Sequence, residues 1–187
     1  MNSKIFIWFS IFICVFAISC NRTSNNTLLQ EKGQAQADIL QLLQQLDTQE
    51  ETGKFDFDGV TDFIVKAEKF STDYPEDPMS AEVLYKAALM AMTLAKVTEK
   101  PAETHLYSQK ALTIFDNILR IYPDFNGIKN CMFNKGVVYD DILHDYENAE
   151  IFYKAFIAKY PTDTLAINLE VYLQYLGKSP EEILAGK

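Results

Sequence analysis

Side chains suited to chemistry are scarce in this chain: there are two histidines, His105 and His144, and three cysteines, Cys14, Cys20 and Cys131. His144 follows Asp140 and Asp141 at a spacing that puts all three on one helical face, where they could hold a metal ion. A plainer role accounts for the same residues: a histidine at a helix C-terminus, favoured by the macrodipole, beside solvated acids and an Asp145 that caps the next helix. Asp56-Phe57-Asp58-Gly59 has the opening of a calcium loop, but no further ligand and no closing Glu follow, so it is expected to be a turn. There is no Gly-rich phosphate loop, no Gly-x-Ser-x-Gly and no His-Glu-x-x-His. Catalysis needs a positioned nucleophile, base or metal. The chain is therefore expected to be no enzyme, with no catalytic residue, no cofactor and no metal.

The elements that would position any such group are helical. The 187 residues, 48% apolar and 13% aromatic, can bury one core, and seven Gly with six Pro give too little punctuation for an all-β fold. Seventeen basic against 26 acidic residues leave a formal charge of −9. An acidic surface of that size excludes nucleic acid and anionic headgroups as partners, since both need a basic footprint.

Residues 1–19 have secretory signal anatomy: Lys4, then an apolar stretch from Ile5 to Ile18, then small residues. At ~1.5 Å per residue that stretch spans about 21 Å, short of a ~30 Å hydrocarbon core. Its end, Ala17-Ile18-Ser19-Cys20, resembles the lipobox of bacterial lipoproteins, with Ala17 where Leu is usual. The resemblance implies that Cys20 is acylated and becomes the mature N-terminus, and Asn21 after it implies sorting to the outer membrane, facing the periplasm. Several acyl chains hold a protein firmly, at ~0.8 kcal/mol per buried CH₂. Residues 20–33 are then the lipidated Cys and a polar tether, and 34–187 the folded domain. With Cys14 in the leader and Cys20 lipidated, Cys131 is a lone thiol, expected to be a small buried apolar residue.

Tyr-Pro occurs at Tyr74-Pro75, Tyr122-Pro123 and Tyr160-Pro161, separated by 48 and 38 residues. Five residues before each proline stand Phe70, Ile118 and Phe156; eight before, Ala67, Phe115 and Tyr153; twelve before, Phe63, Ala111 and Ala149. All nine are apolar and lie at the spacing of an amphipathic stripe. Each Pro pushes its preceding residue out of the α region, so three helices share one register and one stop signal. Partner helices are expected over 79–97, opened by Asp77-Pro78, and over 128–143. A Gln-rich helix over 30–50, with Ile39, Leu43 and Leu46 on one face, opens the domain; it is too short for a convincing coiled coil. A last helix over 163–176 ends at Gly177, and Ser179-Pro180-Glu181-Glu182 is a capping box.

Gly136-x-x-Tyr139, then Ala149, Tyr153, Phe156 and Pro161, resembles a tetratricopeptide repeat. The preceding unit keeps Ala111, Phe115 and Pro123, has Ala88 and Ala91 for Gly and Tyr, and carries about ten extra residues between its helices. The resemblance implies that Gly136 lets two helices approach, that Ala149 fits the same crossing and that the aromatics fill the gap to the next repeat. From about residue 34 to Leu184 the chain further resembles tetratricopeptide lipoproteins frequent in Bacteroidetes, similar in layout to the BamD type and to YbgF-type repeat domains, through Lys159-Tyr160-Pro161 and the tail Leu176 to Ile183.

The expected fold is thus all-α: a right-handed tetratricopeptide-like solenoid of about three helix pairs with a C-terminal capping helix. What the resemblance implies is a protein-binding scaffold in the bacterial cell envelope. It would be held to the membrane by its N-terminal lipid, and its negative charge favours an envelope protein with a basic segment. Two alternatives are a permanent structural subunit of an outer-membrane assembly complex and, third, a glycan or small-ligand binder using exposed aromatics from among Tyr85, Tyr107, Phe115, Tyr139, Phe152, Tyr153 and Phe156.

Overall fold

The computed structural model describes residues 26–48 and 55–186. Cys20, the leader and residues 21–25 of the tether lie outside the described residues. Within them the chain is all-helical, with no strand. The helices are α1 (26–48), α2 (Phe57–Asp73), α3 (Pro78–Val97), α4 (Pro101–Ile121), α5 (Ile128–Val137), α6 (Tyr146–Lys159), α7 (Thr164–Tyr172) and α8 (Pro180–Ala185). A single π turn, Val138–Ile142, continues α5.

Local chemistry starts most of these helices. Asp56, Asp77, Asp145 and Asp163 each cap one, their carboxylates accepting from the N–H of Gly59, Met79, Asn148 and Leu165. The Asp56 segment is therefore a cap and holds no calcium loop. Ser179 and Glu182 form the expected reciprocal capping box. Three helices stop in the same way. Tyr74, Tyr122 and Tyr160 leave the helix with φ/ψ of −132/59, −122/59 and −130/54, and each donates its N–H to the carbonyl four residues back, at Phe70, Ile118 and Phe156. The repeated dipeptide thus builds a repeated turn.

All nine residues of the shared register are buried. Six of them sit in one large core that runs from α1 to the π turn, and Ala149, Tyr153 and Phe156 form a smaller one with Ala166 and Leu169 of α7. Each fully buried aromatic contributes about 1.5–3 kcal/mol by leaving water. Packing follows the order of the chain: α3 lies on α2 and α4, α5 on α4 and α6, and α7 on α6, while the π turn also touches α3.

Four features depart from expectation. Helix α1 reaches back to residue 26, into the segment assigned to the tether. The extra residues between α3 and α4 lengthen the two helices and make no loop; only Thr98 to Lys100 connect them, and Ala87, Ala88, Ala91 and Ala111 let the helices pack closely. The helix expected over 128–143 changes to the π form, in which the Leu143 N–H reaches Val138 O at 3.0 Å, and ends at His144 in the left-handed region, φ 52. The last helix stops at Tyr172 and continues as turns to Gly177, φ 71.

Candidate functional site

The groups with chemical potential are dispersed. His105 and His144 are exposed, and the His144 ring nitrogen Nδ1 lies 3.1 Å from Asp140 O. Asp141 pairs with Lys96 of α3 at 2.8 Å. Asp140, expected among solvated acids, is instead buried, because the wider π turn carries it inward; its carboxylate accepts from Tyr153 Oη at 3.0 Å and Tyr172 Oη at 2.7 Å. Burial holds both phenols well above their usual range, and the adjacent Asp140 adds to the effect. Among the described residues no three His, Cys, Asp or Glu side chains come together as a metal site. Cys131 is fully buried, and desolvation pushes its thiol up to about 12, so it packs as a small apolar group.

Repeat residues meet in the core. A Cβ placed on Gly136 would lie 2.4 Å from the Tyr153 ring, so the glycine makes room for the aromatic of the next helix. Tyr139 stacks on Phe152 with centroids 5.2 Å apart, and Lys135 Nζ sits 4.3 Å above the Phe152 ring while pairing with Asp116. Ala88, Ala111, Phe115, Ile118, Ala149 and Phe156 are buried without contact to water. Of the aromatics considered for a groove, Phe115, Tyr153 and Phe156 are core; Tyr85, Tyr107, Tyr139 and Phe152 are half-buried.

The three Tyr-Pro turns differ in one respect. In Tyr160-Pro161-Thr162-Asp163 the last residue caps α7 and also takes Lys129 Nζ at 2.6 Å, from 34 residues earlier. In Tyr74-Pro75-Glu76-Asp77 the last residue caps α3 and takes Lys32 Nζ at 2.5 Å and Gln36 Nε2 at 3.1 Å. The Lys32 and Lys129 bonds hold both aspartates below their ordinary carboxylate value. So an inter-helix lysine closes the first and third junctions. In Tyr122-Pro123-Asp124-Phe125 the aspartate is replaced by an aromatic, and α5 starts at Gly127 without a side-chain cap. With Gly136 aligned on Ala88, the position of Lys129 falls on Ala81. The middle junction therefore lacks both members of the pair.

A cavity of about 410 Å³ opens there, between the first and second turns. Pro75, Pro78, Ala81, Pro123 and Phe125 give it apolar patches, and Glu76, Asp77, Glu82 and Asp124 add carboxylates, of which Asp77 is the one already paired with Lys32; no lysine or arginine is among the lining residues themselves. The Phe125 ring leans on Tyr85, with centroids 5.9 Å apart, and the Tyr122 hydroxyl reaches back to Ser71 O at 3.5 Å. None of Glu76, Glu82 and Asp124 forms a salt bridge among the described residues. The signal for this opening was present in the sequence as the Phe in the fourth place of the middle turn.

The chain was compared with known protein families, with curated proteins and with solved structures, and none of the three comparisons returns a match.

Proposed function

We propose that this chain is a lipid-anchored, tetratricopeptide-like helical scaffold on the periplasmic face of the outer membrane, and that it binds another envelope protein. The observation that carries this reading is the register shared by α2, α4 and α6, which end in the same Tyr-Pro turn and bury the same three positions, nine residues in all. Helices that pack on their chain neighbours in that fashion stack into a curved array whose faces are free for partners. The anchor rests on the likeness of Ala17 to Cys20 to a lipobox. The acidic surface favours a partner with a basic segment.

A second reading, a permanent subunit of an outer-membrane assembly, is favoured by the outward face of α7. Ile167 is 54% exposed and Val171 is 55% exposed on α7, near the C-terminal end of the array, where a free surface would carry polar residues.

Affinity capture from detergent-solubilised envelopes with the C-terminally tagged full-length chain tests both readings. A reproducible partner that elutes with salt supports the scaffold, and a complex that survives high salt and co-purifies in fixed ratio supports the subunit. Labelled palmitate entering the wild type and not the Cys20→Ala variant supports the anchor. No partner for either form, with the chain monomeric, would overturn the proposal.

A further inference from the structure

We infer that the groove between the first two Tyr-Pro turns is a docking site for a lysine or arginine of a partner protein, presented beside an apolar residue. This rests on the scaffold reading and assigns it a place. The chain itself shows what the site lacks. At the first and third junctions a lysine from the helix two before the capped one, Lys32 of α1 and Lys129 of α5, enters beside the turn and bonds the aspartate in its fourth position. At the middle junction the two register positions hold Ala81 and Phe125, and both line the cavity. The acids there that pair with no cation, Glu76, Glu82 and Asp124, are exposed and stand among proline-rich apolar patches, beside Asp77, which Lys32 already holds.

Charge complementarity selects the occupant. Carboxylates without a paired cation at the rim of a concave surface focus a negative potential that attracts a cation and repels an acidic segment. Pro78 and Phe125 offer apolar contact for the methylene stem of a long basic side chain and for its apolar neighbour. A volume of about 410 Å³ suits one or two side chains and is too small to take a helix. A second copy of this acidic chain would bring like charge to the rim, which disfavours it as the occupant.

The test uses the full-length chain in detergent micelles and two blocked, fluorescein-labelled peptides, Ala-Leu-Lys-Leu-Ala and Ala-Leu-Glu-Leu-Ala, followed by anisotropy. Two double variants are compared with the wild type: Glu82→Lys with Asp124→Lys, which reverses the rim, and Ala81→Lys with Phe125→Asp, which rebuilds the missing bridge. Circular dichroism confirms that each retains its helices. The expected result is saturable binding of the lysine peptide to the wild type, about tenfold weaker to both variants, with the reversed variant now preferring the glutamate peptide. Equal affinity of the lysine peptide for wild type and variants overturns the proposal, as does no saturation by about 1 mM peptide. Self-association that disappears in both variants, without peptide binding, also overturns it and assigns the groove to a second copy. Capture of an envelope partner that persists in both variants leaves the scaffold reading standing and removes this groove from it. Peptide binding without any envelope partner does the reverse.

Discussion

The pair α3–α4 and the pair α5–α6 solve the same packing problem with different chemistry. The first is long and almost wholly apolar where it is buried, with small alanines at the crossing and Phe115 filling the layer behind them. The second is short, and it compensates with polar devices: a bare Gly136 under the Tyr153 ring, a π turn that buries Asp140 between two phenols, and the Lys129–Asp163 bridge that seals the next junction. The long pair leaves its junction open. In the short pair the polar contacts reinforce a smaller core. The open groove and the buried carboxylate are thus where the two pairs, which share one register, differ most.

The contrast breaks most sharply at the helix crossing. Gly136→Val would drive a branched side chain into a ring that Asp140 holds in place, costing about 3 kcal/mol by overpacking. The mirror change in the long pair, Ala88→Gly, removes only a methyl group and adds backbone freedom, for about 1 kcal/mol. Denaturant midpoints with unchanged m values would measure both, and equal costs would show that the two crossings are not distinct. Tyr153→Phe copies Phe115 of the long pair into the short one. It should cost about 1.5 kcal/mol, because buried Asp140 loses one donor and keeps Tyr172 as the other. A neutral result would mean that the phenol contributes only its ring.

The helices themselves were legible because their signals are local. The Asp77, Asp145 and Ser179 caps, the first-turn prolines Pro78 and Pro180 and the apolar stripe before each Tyr-Pro require only neighbours in sequence, and each appears where the spacing places it, while Asp56, expected in a turn, and Asp163 cap helices as well. The π turn was not legible. Residues 128–143 carry an unbroken helical pattern, and the partners that Asp140 meets from the π turn, Tyr153 and Tyr172, stand 13 and 32 residues away in the chain. Asp140 was assigned to solvent for the same reason. The groove was half legible: the odd fourth residue of the middle turn stands in the sequence, but its meaning requires the lysine contacts at the other two turns. Cys20 belongs to a different kind of signal, a processing motif that no packing argument reaches.

The smallest expected effect concerns pH and the closed junctions. Lys129 and the Leu165 N–H hold Asp163 below its ordinary value, and Lys32 with the Met79 N–H does the same for Asp77 against the opposing pull of burial. A carboxylate whose folded value is depressed binds fewer protons in the folded state than in the unfolded chain. Its stabilisation is therefore complete above the unfolded value of about 3.9 and is lost as pH falls through the lower folded value. The melting temperature should fall from about pH 4 downward, and Asp163→Asn should flatten part of that fall while lowering stability slightly at neutral pH. Adding the pair to the middle junction, with Ala81→Lys and Phe125→Asp, should steepen it by giving the long pair the acid-sensitive closure of its neighbours. An acid limb identical in all three proteins would show that the bridges only mark the junctions and do not hold them.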